Sequence, residues 1–423
     1  MNLPLEFVKR MEKMPDCEAF FQSYDLPAVK GVRFNPLKVT RETFETLCPF
    51  PLTGSVPWEE TGYYTQEEKV GKNIWHAMGL FYSQEPSAMS AVPLLDLKEG
   101  HRFLDLCSAP GGKGTQAAIR MNGTGIAVLN EKVSDRAKIL ARNVERMGIR
   151  NAVVTNHDPR ELAKKLPAYF DRVLVDAPCS GEGMFKKEEN AISEWSEENV
   201  KMCALRQAEI LESACTLLAG DGVLVYSTCT FSEEEDEGQI RRFLSLHPEF
   251  ELLEEHKLYP HRVKGEGHYV AKLHKTQGER SEPKLEKTGI GKREETVYRE
   301  FERKFFKGKE ERLFLFGDRL CSLPEDCFSL SGCKVLRAGV PLGTFVKGRF
   351  EPEHSFAISY RADEFCLRAD IDEREAVAYL RGETVESEGE NGWCVVACKG
   401  FPVGLGKRVN GTVKNHIPKG LRI

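Results

Sequence analysis

The chain has 423 residues, 41% hydrophobic and 30% charged, with a formal net charge of -5. That length exceeds one ordinary core, so two or three domains are expected. No apolar run approaches the roughly 18 residues of a membrane helix. The opening Met1–Pro15, with Glu6, Lys9, Arg10, Glu12 and Lys13, lacks the apolar stretch of a signal peptide. A cytoplasmic monomer with no membrane partner is the expectation. The 13 cysteines include no CxxC pair and are spread along the chain, which excludes a secreted disulfide framework. Neither Cys394 with Cys398 nor the evenly spaced Cys321, Cys327 and Cys333 has a histidine at finger spacing, so no metal is expected.

Residues 1–92 mix short helices and turns. From Phe103 the pattern changes to strands alternating with helices. Strands are predicted at Phe103–Cys107, Gly125–Asn130, Ala152–Thr155, Arg172–Asp176 (RVLVD) and Val223–Tyr226 (VLVY), and helices at Asp135–Met147 and Val200–Leu218. This alternation, over residues 93–275, predicts an α/β domain with a mostly parallel sheet covered on both faces. Thr276–Glu295 is polar and charge-rich and reads as a linker. Beyond it, residues 296–423 show short apolar runs at Lys334–Leu336, Ser355–Ile358 and Trp393–Ala397 between Gly and Pro, a β-rich pattern. After Glu390 no acid follows, only Lys399, Lys407, Arg408, Lys414, Lys419 and Arg422. A one-sided basic tail suggests contact with a polyanion.

Ligands of open α/β sheets sit at the carboxyl ends of the strands. The first predicted strand runs into Asp105-Leu-Cys-Ser-Ala-Pro-Gly-Gly-Lys113. A strand followed by Gly-Gly and a helix lets backbone approach a ligand, with helix amides facing it. The turn is neither GxGxxG nor a P-loop. Glu131 ends the second strand, where an acid takes ribose hydroxyls, and Asp158 follows the third, where class I methyltransferases contact adenine. The fourth strand runs into Asp176-Ala-Pro-Cys-Ser-Gly181 and the fifth into Tyr226-Ser-Thr-Cys-Thr230, so Cys179 and Cys229 reach one sheet edge. A thiol is both a good nucleophile and a good leaving group. It can add to carbon 6 of cytosine and make carbon 5 enamine-like, then depart once carbon 5 has gained a methyl and lost its proton. Asp176 could hydrogen-bond the ring nitrogen and exocyclic amine as charge develops.

These motifs resemble the Sun-family RNA cytosine-5 methyltransferases, and within them the bacterial ribosomal RNA enzymes of the RsmF type. The matching residues are LDLCSAPGGKGTQ (Leu104–Gln116), DAPCSGEGMF (Asp176–Phe185) and YSTCTFS (Tyr226–Ser232). RFNPLK (Arg33–Lys38), FYSQEPSAM (Phe81–Met89), Arg206-Gln207, Gly404–Lys407 and Lys414–Lys419 extend the likeness over nearly the whole chain. The resemblance implies a class I, Rossmann-like methyltransferase domain between an N-terminal α+β RNA-binding part and a PUA-like RNA-binding C-terminus. It implies S-adenosylmethionine as cofactor, held by Cys107, Ser108, Ala109, Pro110, Gly111, Gly112 and Lys113 with Glu131, Asp158 and Asp176. Cys229 becomes the nucleophile and Cys179 the residue that assists product release. Lys113 is placed near the methionine carboxylate or the substrate. Arg33, Asn35, Lys38, Lys407 and Lys414 become candidate contacts to RNA, either ribosomal RNA or an assembling small subunit.

Three departures from the family pattern stand out. Ser108 replaces a usual Ala, Gly114 replaces a usual Thr or Ser, and Glu235-Asp236-Glu237 replaces Glu-Asn-Glu. Ser232 to Glu235 reads as a helix capping box. Two other functions compete with the thiol mechanism. One is methylation of an exocyclic nitrogen without a covalent step; the other is a non-catalytic RNA-binding assembly factor.

Overall fold

The computed structural model describes the backbone of residues 1–423 and every side chain except that of Glu189. The N-terminal part contains a four-stranded antiparallel sheet of β1 (Lys30–Phe34), β2 (Leu52–Ser55), β3 (Gly62–Thr65) and β4 (Phe81–Ser83), in the order β2-β3-β1-β4. Aromatic packing holds it together. Phe34 stacks on Phe44 with centroids 5.5 Å apart, and Phe50 meets Phe81 edge-on at 5.3 Å.

The central sheet follows. Its strands are β5 (Arg102–Asp105), β6 (Ile126–Asn130), β7 (Ala152–Thr155), β8 (Phe170–Asp176), β9 (Leu218–Thr228), β10 (Phe250–Leu258) and β11 (His268–Lys275). The order is β10-β11-β9-β8-β5-β6-β7, with β5 to β9 parallel. Helices cover both faces, so the parallel strands are nearly continuous apolar runs. Val173, Leu174 and Val175 of β8 are all fully buried. The helix Glu197–Leu217 starts where Ser196 Oγ accepts from Asn199 N at 3.0 Å, and it runs straight into β9. The helix Ser134–Arg146 lies within a residue of its predicted bounds.

Three predicted features differ. The apolar run Ser355–Ile358 is not a strand; it lies in the helix His354–Ile358, with Phe356 and Ala357 fully buried. Short apolar runs suit a buried helix as well as a strand. The strand Val335–Ala338 does not stay within the C-terminal region. It joins the central sheet antiparallel to β7, Val335 opposite Thr155, and covers what would be an open edge. The polar stretch after Lys275 is pinned rather than loose. Arg280 pairs with Asp171, Glu282 with Arg102 at 2.8 Å, and from Lys292 the chain is helical.

The C-terminal region contributes a four-stranded antiparallel sheet and a final five-stranded sheet containing Gly392–Cys398 and Phe401–Val409. The last sheet shares one hydrophobic cluster with the N-terminal sheet: Phe34, Phe44, Trp75 and Phe81 pack with Ile371, Tyr379, Val396, Phe401 and Ile417. Trp75 and Phe401 rings lie 5.9 Å apart. The two ends of the chain therefore clasp each other. Among the described residues, no helix is long and apolar enough to cross a membrane.

Candidate active site

A cleft of about 1350 Å³ opens at the carboxyl ends of β5 to β9. That exceeds the roughly 300–1,000 Å³ of an ordinary small-molecule pocket, leaving room for a cofactor and a nucleotide. Cys107, Ser108, Ala109, Pro110, Gly112, Lys113, Glu131, Asp158, Asp176, Cys179 and Cys229 all line it. Gly111 does not. Its φ of +111° makes the turn, and an added Cβ would lie 3.0 Å from Leu140 Cδ1.

Side chains lock the strand-end turns in place. Asn130 Nδ2 donates to Leu106 O at 3.1 Å and His157 O at 3.0 Å, tying three of them together. Arg136 donates to Ala109 O at 2.7 Å and Asn143 to Pro110 O at 2.8 Å. The helix Gly112–Arg120 then points its free N-terminal amides at the cleft. Glu131, almost fully buried, spends one oxygen on Val133 N at 2.8 Å; the other lies 3.7 Å from Arg136. Asp158 caps the helix Pro159–Lys165 through Arg160 N and pairs with Lys132 at 2.7 Å. The Lys132 contact holds its carboxyl below the usual range. Asp105 Oδ1 is buried without a partner in the protein, and burial beside Asp176 pushes Asp105 up to about 7. Two of the family departures meet here. A Cβ on Gly114 would sit 2.3 Å from Ser108 Oγ, so the serine fills space that a larger residue 114 would take.

The thiols lie together. Cys179 Sγ is 3.2 Å from Cys229 Sγ and accepts from Cys229 N at 3.4 Å. The hydrogen bond with Cys229, and then burial, push the Cys179 thiol well above its ordinary pKa, so it stays protonated. Burial does the same to Cys107. Lys113 Nζ pairs with Asp176 Oδ1 at 2.8 Å, and Ser227 Oγ donates to that oxygen at 3.0 Å.

Two acids brace this corner, and sequence reasoning missed the first. Glu235 makes no capping box; Ser232 Oγ bonds Glu234 instead, and the next helix begins at Glu237. The fully buried Glu235 accepts from Ser180 N at 2.9 Å and Gln207 Nε2 at 2.8 Å, which fixes the turn carrying Cys179. Burial pushes it up to about 7. Asp236 accepts from Thr228 Oγ1 at 2.6 Å and pairs with Lys257 at 2.9 Å, bracing the turn that carries Cys229. The signal in the sequence was the run of five acids, Glu233–Glu237, just after a cysteine turn.

The expected RNA contacts divide. Arg33 and Asn35 are buried, which removes them from an RNA surface. Arg33 donates to Gly112 O at 2.8 Å and to Gln84 Oε1 at 2.5 Å. Asn35 bonds Gly79 O and Met147 O, and Lys38 Nζ bonds Met78 O at 2.8 Å and Arg146 O at 3.0 Å. All three stitch the N-terminal part to the central domain. Lys407 and Lys414 are different: both are exposed and stand opposite each other in the last sheet, with Lys407 over the Trp393 ring at 5.0 Å. Not all of the basic tail is free. Arg408 is buried on Arg368 O and Glu390 O, and Lys399 pairs with Glu373. One group of metal-capable atoms occurs among the described residues, on Cys215, His247 and Glu249. It lies outside the cleft.

A Rossmann-like sheet with a Gly-Gly turn opening onto a helix N-terminus, and acids at the next strand ends, defines a class I S-adenosylmethionine-dependent methyltransferase. Family models match along the chain. They are the 16S rRNA methyltransferase RsmB/F model over residues 92–274, the N-terminal domain of RsmF over 3–86, the first C-terminal domain of RsmF over 300–359, and the RsmF PUA domain over 366–423. The ribosomal RNA small subunit methyltransferase F of Vibrio vulnificus (strain YJ016) is 32% identical, covering 99% of this chain and 97% of its own. That of Aeromonas salmonicida (strain A449) is 32% identical over 96% of this chain and 93% of its own. The chain belongs to the RsmF-type branch of the Sun-family RNA methyltransferases. A methyltransferase homologue from Pyrococcus horikoshii superposes with a TM-score of 0.57 at 25% identity, over 64% of this chain and 94% of that one. NSun6 from the same organism, solved with the S-adenosylmethionine analogue SFG, shares the fold with a TM-score of 0.58 at 20% identity, over 64% and 97% of the two chains.

Proposed function

We propose that this enzyme methylates carbon 5 of a cytidine in RNA through a covalent bond between Cys229 and carbon 6 of the base. The thiol pair carries the reading: two cysteines 3.2 Å apart in the cleft, beside Lys113 and Asp176. Transfer to an exocyclic nitrogen needs no thiol. Cys179 keeps its proton and can share it with the neighbouring sulfur, which leaves Cys229 as the attacking group. Attack breaks the 5,6 double bond of cytosine and makes carbon 5 electron-rich. S-adenosylmethionine, when bound, supplies the electrophilic methyl group. Asp176 spends Oδ1 on Lys113 and Ser227, so Oδ2 is what remains for the base. Release needs the carbon-5 proton to pass to solvent water, its C–H pair to restore the 5,6 double bond, and the carbon–sulfur pair to return to Cys229. Cys179, a thiol 3.2 Å from that sulfur, is assigned to donate a hydrogen bond to it as it departs.

The substrate we infer is small-subunit ribosomal RNA. The relatives' names and the exposed Lys407–Lys414 pair support it. The test uses denaturing gels and bisulfite sequencing. Cys179→Ala should accumulate a protein–RNA adduct, whereas Cys229→Ala should give neither adduct nor product. Adducts with Cys229→Ala and none with Cys179→Ala would reverse the roles. Methylation surviving in Cys229→Ala would favour a non-covalent transfer. Bisulfite sequencing of ribosomal and transfer RNA from a deletion strain identifies the substrate.

A further inference from the structure

His268 is only 1% exposed, yet neither ring nitrogen has a hydrogen-bonding partner within the protein. Buried polar groups are normally satisfied, so such a pair needs an explanation. The residue opens β11, and the register that sets Tyr269 opposite Thr228 brings His268 beside Cys229 across the ladder. Both line the cleft. Side chains alternate along a strand. His268 therefore shares the face of Val270, which belongs to the same hydrophobic cluster as Ala117 and Ala118 of the helix that carries Lys113.

The backbone leading into His268 is held by its neighbours. Gly267 N donates to Ser87 Oγ at 3.2 Å and Glu266 N to Glu85 Oε1 at 2.9 Å. Gly267 itself has φ +117°, and an added Cβ would lie 2.3 Å from the Phe231 ring. Burial, and then the Lys113 charge, hold the imidazole well below its ordinary pKa. It is neutral, with one N–H to donate and one bare nitrogen to accept. An ammonium such as that of Lys113 can only donate, and a carboxylate can only accept. Cytosine offers an amine donor beside ring-nitrogen and carbonyl acceptors, so a group able to do either suits it.

We propose that His268 is a substrate-contacting residue whose imidazole hydrogen-bonds the polar edge of the target pyrimidine beside Cys229. This rests on the reading of the cleft as a cytidine site. His268→Phe keeps a ring and removes both nitrogens, His268→Leu does so with a smaller side chain, and His268→Gln keeps a donor and an acceptor. S-adenosylmethionine affinity by calorimetry should match wild type in all three. For RNA methylation, kcat/KM should fall about tenfold in the Phe and Leu variants, the loss of one buried hydrogen bond. The Gln variant should recover most of it. Wild-type kcat/KM in the Phe or Leu variant, or equal loss in Phe and Gln, would overturn the assignment. A wild-type enzyme that binds S-adenosylmethionine but makes no methylcytidine would remove the underlying reading, and this inference with it.

Discussion

Gly114 and Ser108 should behave as one unit. Gly114 is buried in the first turn of the helix Gly112–Arg120, where its backbone is ordinary and alanine would normally gain about 1 kcal/mol. Space decides otherwise. A Cβ there lies 2.3 Å from Ser108 Oγ, 2.9 Å from Asp105 Oδ2 and 3.0 Å from Leu129 Cδ2. Overpacking of this kind costs roughly 1–3 kcal/mol, so Gly114→Ala should be destabilising by about 0–2 kcal/mol net. It should also weaken S-adenosylmethionine binding, because the displaced Ser108 lines the cleft on the turn assigned to the cofactor. Ser108→Ala removes the worst contact and leaves Asp105 Oδ2 at 2.9 Å, which must shift, and Leu129 Cδ2 at 3.0 Å, which needs to give by a few tenths of an ångström. The double variant should recover most of the loss, with a coupling of at least about 1 kcal/mol. Thermal melts and calorimetry on the four proteins complete the cycle. Strictly additive effects, or a Gly114→Ala protein more stable than wild type, would refute the steric account.

Glu131→Ala should weaken S-adenosylmethionine binding about tenfold, the value of one charged hydrogen bond; unchanged calorimetric affinity would make Glu131 merely structural. Lys407→Glu with Lys414→Glu should lower RNA affinity and flatten its salt dependence by roughly 0.7 per lost phosphate contact on single strands. Cofactor affinity should hold, and an unchanged salt slope would move the RNA contact elsewhere. Glu235 predicts a pH effect. Its folded pKa of about 7 exceeds the ordinary 4.5. Between those values the unfolded chain ionises while the folded one keeps its proton, so stability falls as pH rises through this window. The loss is complete above 7 and is worth about 3 kcal/mol. Glu235→Gln should gain melting temperature relative to wild type from pH 4.5 to 7 and then level off. Parallel curves would contradict the assignment.

The central sheet was legible because parallel strands buried on both faces leave short apolar runs such as RVLVD, each ending at the cleft. Both cysteines, the Gly-Gly turn and the strand-end acids were readable for the same reason. The seam between domains was not. Arg33, Asn35 and Lys38 resemble a basic, polar RNA surface, yet their partners are backbone carbonyls from distant segments. Nothing local in the chain announces such a carbonyl. Glu235 matched a capping pattern in spacing alone, and its role depends on Ser180 and Gln207 arriving from other elements. The apolar run Lys334–Leu336, read as part of a β-rich pattern, overlaps the strand Val335–Ala338, but the partner waiting for it on β7 lay far back in the sequence.

The clasp between the chain's two ends has a consequence for how the protein is made. Phe34, Phe44 and Trp75 are completed by Ile371, Val396, Phe401 and Ile417. A ribosome adding about 5–20 residues per second exposes the first set roughly half a minute before the second emerges. The N-terminal aromatic face must therefore wait uncovered, as a natural client for a chaperone. A nascent chain halted before Phe365 would never cover it. Such a fragment, however intact its central sheet, should be marked for aggregation or degradation by a surface that the finished protein hides.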